Sequence, residues 1–150
     1  ISPCGGGGLI SGTALAFSKE FSDVEIYSAE PVGFDDTLCS LAAGKRLPID
    51  GNSSTFCDSL MLPIPGELTF PINMEFLKGG FSIKDIDTAR AMAVAFQYFK
   101  LVLEPGGAIA LAAVINRPFD FKDKTVCVIC SGGNVDSHVF SEAIRKDILL

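Results

Sequence analysis

Hydrophobic and polar positions along this chain change period several times, and each change marks an element. Residues 9–21 are apolar and small, follow a run of glycines without a break, and read as a helix. Residues 23–29 alternate and are β-branched enough to predict a short strand. A second helix opens at Asp35-Asp36-Thr37 and runs to about residue 43, where Gly44 stops it with Lys45 and Arg46 behind. Residues 47–55 are loop, and Pro63, Pro65 and Gly66 forbid regular structure in the stretch that follows. Residues 67–77 predict a helix halted by Gly79 and Gly80. Ser82 and Asp85 have the spacing of a capping box. The helix they open carries Met92, Phe96 and Phe99 as one stripe, which predicts core packing. Residues 108–115 are apolar on every face, so that helix should be fully buried. Residues 124–130 read as a strand of a sheet covered on both sides, and residues 139–148 as a last helix. Strands interspersed with helices make this an α/β chain.

Composition narrows the partners. The chain is 48% apolar, which fits a two-sided buried sheet or a face that packs on something outside this sequence. A net charge of −6 and the lack of any Lys/Arg run argue against nucleic acid and anionic membranes. No apolar run is long enough to span a bilayer, and no signal peptide is evident. The five cysteines, Cys4, Cys39, Cys57, Cys127 and Cys130, are odd in number and sit in apolar contexts. They predict reduced core thiols and a cytoplasmic setting. Cys127 and Cys130 have CxxC spacing, but on a strand their side chains would face opposite ways, so no redox or metal role is assigned to them.

The chemistry gathers at the ends of the predicted strands. Gly5, Gly6, Gly7 and Gly8 run straight into a helix start. Glycine lets the backbone lie against a ligand, and a helix start offers free amides and a positive dipole end. Together these make a cradle for an anion, above all a phosphate, with a flexible linker as the bland alternative. The dinucleotide fingerprint does not fit, because its third glycine would fall on Ile10 or Ser11. A P-loop does not fit either, because Thr13 follows Gly12 where lysine is required. Ser131 stands at the end of the last strand, before Gly132 and Gly133. A phosphate at one end and a neutral hydroxyl at the other suit a small, flat, phosphorylated cofactor whose ring the two glycines would admit. The alternative is an ordinary turn serine.

Five ordered motifs carry a resemblance: residues 3–12 (PCGGGGLISG), 29–31 (AEP), 65–70 (PGELTF), 103–108 (LEPGGA) and 131–136 (SGGNVD). Together they resemble the fold-type-II pyridoxal-phosphate threonine/serine dehydratases and serine racemases. The resemblance implies an open, mostly parallel twisted sheet with helices on both faces, with residues 1–150 as the C-terminal part of the cofactor-binding large domain. It implies that Gly5, Gly6, Gly7, Gly8 and the Leu9 amide hold the phosphate of pyridoxal 5′-phosphate. Ser131 would face the pyridine nitrogen, and Glu104 would lie near the ring. It also implies a Mg²⁺ or Ca²⁺ site at Glu30, the Phe34 carbonyl and Asp36, where the bland alternative is that Asp35 and Asp36 cap a helix. Two positions depart from the family pattern. Ser59 follows Asp58 where glycine is common, and Gly106 replaces the serine of the commoner Glu-Pro-Ser-Gly. The family's cofactor-bearing lysine lies upstream of the glycine loop. Lys45, Lys78, Lys122 and Lys124 sit beside loops in no such setting, so no catalytic residue is assigned. The implied activity is dehydration of L-threonine or L-serine to a 2-oxo acid and ammonia, with racemisation or hydroxyaspartate dehydration as alternatives. The implied partners are a hydroxy amino acid, the N-terminal half of the enzyme and further copies of the same chain. Read by itself, this stretch would be a non-catalytic half-domain.

Overall fold

The computed structural model describes residues 1–21, 23–117 and 121–145. Its centre is a parallel sheet of three strands in the order β1 (Ser2–Pro3), β2 (Ile26–Pro31) and β3 (Leu77–Ile83). Ser2 pairs with Ser28 and Pro3 with Ala29, while Pro31 at the far end pairs with Ile83. On one face lie α1 (Gly8–Glu20), α2 (Asp36–Ala43) and α3 (Thr69–Phe76). There Cys4, Ile10, Ala14, Ile26 and Leu77 form a core edged by Phe17, Leu41 and Phe76. On the other face lie α4 (Asp85–Val94), α5 (Pro105–Ile115) and α6 (Ser137–Arg145), packed through Ala29, Ile83, Met92, Ile109 and several alanines. Ile26 and Ala29, three apart on β2, face opposite layers by alternation, and on β3 the extra residue between Leu77 and Gly79, opposite Ile26 and Tyr27, shifts the alternation so that Leu77 joins Ile26 and Ile83 joins Ala29. This is the α/β architecture expected from the sequence. No described helix is long and apolar enough to cross a membrane.

The strand β3 is the element that periodicity does not predict. Gly79 and Gly80, expected to end a helix, are inside the strand. A Cβ on Gly80 would overlap the Ser28 hydroxyl of β2, so glycine here serves strand-to-strand approach. The capping box is also absent. Lys84 is the N-cap of α4 and makes no side-chain cap bond. Asp85 instead accepts from Thr55 Oγ1 at 2.5 Å and the Phe56 amide at 3.1 Å, tying the preceding loop to the helix.

The expected apolar stripe breaks in the same region. Met92 is fully buried, but Phe96 is 42% and Phe99 60% exposed. A π-helical turn over Ala95–Phe99 widens the helix and rotates the two rings away from the core, leaving Phe96 edge-on to Phe140 at 5.4 Å. Helix α5 meets its expectation more closely: Ala108, Ile109, Ala110, Ala112 and Ala113 are fully buried.

Residues 124–130 form no continuous ladder. They run beside Ile1, whose nitrogen donates to the Cys127 carbonyl at 2.8 Å and whose carbonyl accepts from the Ile129 amide at 3.0 Å, the bonding pattern of a parallel pair. Helix α6 is described to Arg145, and the expected continuation to residue 148 lies outside the described residues.

Candidate functional site

The first strand delivers the glycine loop to the carboxyl edge of the sheet. The Cys4 amide still bonds to the Ala29 carbonyl at 3.0 Å, so the chain leaves the sheet only at Gly5. Gly7 then takes φ 86°, a left-handed conformation, and α1 begins at Gly8. The loop's carbonyls are pulled back into the protein. Thr69 Oγ1 donates to the Gly6 carbonyl at 2.6 Å, and Ser11 Oγ donates to the Gly7 carbonyl at 2.6 Å and to Asn73 Oδ1 at 2.9 Å. Among the described residues, the amides of Gly5, Gly6, Gly7, Gly8 and Leu9 have no protein acceptor. A loop with its carbonyls occupied and its amides free at a helix N-terminus is an anion cradle. Sequence reasoning does not single out Thr69, Ser11 or Asn73 as site residues, although Thr69 and Ser11 each belong to one of the quoted motifs.

Those five residues, together with Ser59, Glu104 and Ser131, line a single cavity of about 240 Å³. It therefore gathers every residue expected at the cofactor, from three separate parts of the chain. A larger cavity of about 910 Å³ lies along the other end of the sheet, against Phe17, Ile26, Tyr27 and residues 124–127. It contains none of the cradle residues. In open parallel sheets ligands bind beyond the carboxyl ends of the strands, which selects the smaller cavity.

Glu104 is the N-cap of α5, and its amide donates to the Gly132 carbonyl at 3.1 Å. This bond joins Glu104 to the residue after Ser131. The glycines after Ser131 act differently from the expectation that they admit a ring. A Cβ on Gly132 would lie 2.7 Å from Glu104 Oε1, and one on Gly133 would lie 2.5 Å from the Val102 carbonyl oxygen. They are small so that this segment can pack against residues 102–104, and neither lines the cavity.

Glu30 and Asp36 are buried at the end of β2 and the start of α2. Glu30 Oε1 accepts from the Thr37 amide at 2.9 Å. Its Oε2 accepts from the Leu38 amide at 2.9 Å and from Ser28 Oγ at 3.1 Å. Glu30 therefore caps α2 from the neighbouring strand, and neither Asp35 nor Asp36 does so, contrary to the bland alternative. Burial nonetheless pushes the Glu30 carboxyl up to about 8, with the charge of Asp36 adding to it. Among the described residues, both carboxylate oxygens of Asp36 are buried without a hydrogen-bond partner, and burial raises this group to about 6. Because Leu38 donates to Glu30, the Phe34 carbonyl accepts no hydrogen bond among the described residues. Two carboxylates and a free carbonyl are hard oxygen donors, and the orphaned Asp36 oxygens fit a divalent cation. No cluster of three or more His, Cys, Asp or Glu suited to a metal occurs among the described residues, so waters would complete the set.

All five cysteines are free thiols. Cys4 and Cys57 are buried as expected, and burial pushes both up to about 12. Cys39, Cys127 and Cys130 are exposed, which corrects the expectation of core thiols throughout.

A family model described as "Pyridoxal-phosphate dependent enzyme" matches residues 1–132. The chain is 38% identical over 150 residues to a serine racemase of Dictyostelium discoideum, covering 97% of this chain and 45% of that protein. It is 30% identical over 149 residues to an L-threonine ammonia-lyase of Thermotoga maritima, covering 99% of this chain and 37% of that protein. Among solved structures it superposes on maize serine racemase with a TM-score of 0.85 at 34% identity, covering 97% of this chain and 45% of that one. The chain thus spans less than half the length of these relatives. With its tetraglycine cradle at the carboxyl edge of a parallel sheet between two helical layers, the chain belongs to the fold-type-II pyridoxal-phosphate dependent enzymes.

Proposed function

We propose that the protein carrying this chain binds pyridoxal 5′-phosphate in the 240 Å³ cavity and dehydrates L-threonine or L-serine, releasing a 2-oxo acid and ammonia. The observation that carries this reading is the meeting of a free-amide cradle with Ser131 and Glu104 in one cavity. When bound, the cofactor supplies the electron sink that makes the Cα proton of an amino acid removable. The cradle amides hold its phosphate. Ser131 Oγ hydrogen-bonds the pyridine nitrogen and, being neutral, leaves it unprotonated. Glu104 lies beside the ring. Among the described residues no lysine lines the cavity, in keeping with a cofactor-bonding lysine upstream of the glycine loop, as the resemblance implies. Glu30, the Phe34 carbonyl and Asp36 take Mg²⁺ or Ca²⁺. The working enzyme is a homo-oligomer in the cytoplasm.

A second reading, racemisation of serine, draws support from the 38% identity to a serine racemase. Dehydration of 3-hydroxyaspartate draws support from a 34% identical dehydratase of Paracoccus denitrificans. All begin with loss of the same Cα proton. The test is release of 2-oxo acid from L-threonine, L-serine and 3-hydroxyaspartate beside formation of D-serine, with the cofactor loaded. D-serine as the dominant product replaces the first reading with the second, and loaded protein that turns over none of these substrates overturns both.

Ser131 gives a finer check. Ser131→Ala should weaken cofactor binding about two- to tenfold, the worth of one neutral hydrogen bond. Ser131→Asp should protonate the ring nitrogen and strengthen the sink, shifting product from 2-oxo acid toward pyridoxamine phosphate. An unchanged product ratio and visible spectrum would return Ser131 to the role of a turn serine.

A further inference from the structure

Among the described residues, the polar side chains on the cavity wall besides Glu104 and Ser131 come down to Ser59. It sits on a short 3₁₀ turn, Asp58–Leu60, and the turn is fixed at both ends. The Ser59 amide donates to Asp58 Oδ1 at 2.8 Å, and the Leu60 amide donates to the Cys57 carbonyl at 2.9 Å. Leu60 and Cys57 are buried in the core beneath.

Ser59 touches both walls of the cavity. On the cradle side, a Cβ on Gly5 would meet the Ser59 carbonyl oxygen at 3.4 Å. On the α5 side, a Cβ on Gly106 would overlap Ser59 Oγ outright, while the next nearest atom, Leu60 Cγ, is 3.2 Å away. The Ser59 hydroxyl thus fills the space that any side chain at position 106 would need. Among the described residues this hydroxyl has no hydrogen-bond partner, so its donor is free for whatever enters the cavity.

We propose that Ser59 is a further cofactor-contacting residue, its hydroxyl donating to the polar rim of the pyridoxal ring, and that Gly106 is glycine because that hydroxyl occupies its side-chain space. This rests on the cavity being the pyridoxal-phosphate site. The two departures from the family pattern are then one exchange: the hydroxymethyl group is carried by the turn instead of by the helix.

The test is a double-mutant cycle in the full-length protein, with pyridoxal phosphate as the probe and binding read by fluorescence or equilibrium dialysis. Ser59→Ala should weaken binding about two- to tenfold. Gly106→Ala should do the same, because its Cβ forces the Ser59 hydroxyl out of place. The double variant should bind no worse than Ser59→Ala alone, since the overlapping oxygen is gone. Melting of the cofactor-free protein gives a second cycle: Gly106→Ala should lower the midpoint by a few degrees with Ser59 present and by clearly less with alanine there. Unchanged binding in Ser59→Ala overturns the contact, and additive losses in either cycle overturn the exclusion. Wild-type protein that binds no pyridoxal phosphate overturns the functional reading and the contact with it. In that case the melting cycle still decides whether Ser59 and Gly106 exclude each other.

Discussion

Gly7→Val is expected to abolish cofactor retention and to destabilise the cofactor-free protein as well. Gly7 holds φ 86°, which costs an L-residue about 1–2 kcal/mol and a β-branched one more. Space is a second obstacle. A Cβ there would lie 2.7 Å from Asn73 Nδ2 and 2.8 Å from Thr69 Oγ1, inside real contact distance of both. Thr69 holds the Gly6 carbonyl, and Asn73 holds the serine that bonds to the Gly7 carbonyl, so displacing either releases the loop. The neighbouring positions supply controls. A Cβ on Gly8 meets nothing within 4 Å, so Gly8→Ala should leave the fold intact. Any loss of cofactor in that variant belongs to the cradle's approach to phosphate alone. Gly6 is intermediate, since its Cβ would meet only the movable end of Leu62 at 3.0 Å. Cofactor content after dialysis and the melting midpoint of the cofactor-free form decide the case. Gly7→Val protein that keeps its cofactor through dialysis would show that the loop does not hold the phosphate.

The sequence discloses the site more fully than the sheet, for a physical reason. Gly5, Gly6, Gly7 and Gly8 are legible because a run of glycines before a helix has few purposes, and a contiguous motif needs no partner to be seen. The strand β3 is hidden because Gly79 and Gly80 break the alternation that marks a strand, and the reason for Gly80, the Ser28 hydroxyl on β2, exists only after pairing. The exposure of Phe96 and Phe99 is hidden in the same way, since a π-turn changes the period within the stripe itself. At the site, Glu30, Phe34 and Asp36 can be named from their spacing within a resembling family. Spacing does not show that Glu30 spends its oxygens on the amides of α2 while Asp36 is left without a partner. Ser59 stands out in the sequence as a departure from the family pattern, and its relation to Gly106 becomes visible only when the 3₁₀ turn brings them together.

In protein stripped of divalent cations, stability is expected to fall steadily as pH rises from about 4 to about 8. The cause is the buried pair. Glu30 titrates at about 8 in the fold against an ordinary 4.5, and Asp36 at about 6 against 3.8. A raised folded value means that the folded state binds more protons than the unfolded one between the two values. Below the ordinary values both states are protonated and the full stability is present. As pH climbs through the folded values the fold must either hold a proton or bury a charge, and stability is lost. A tenfold difference in proton affinity between folded and unfolded chain is worth about 1.4 kcal/mol, so this pair dominates the pH dependence in that window. A divalent cation replaces the protons, so Mg²⁺ or Ca²⁺ should raise the melting midpoint more at about pH 8 than at about pH 5. Asp36→Asn should raise stability near pH 8 in chelator, flatten the lower part of the slope and remove the response to cation. Glu30→Gln should behave otherwise, because an amide cannot accept from Thr37 and Leu38 on both of its ends, and α2 loses part of its cap. A midpoint that stays level in chelator across this range, or a cation response that survives Asp36→Asn, would leave Glu30 as the cap of α2 and nothing more.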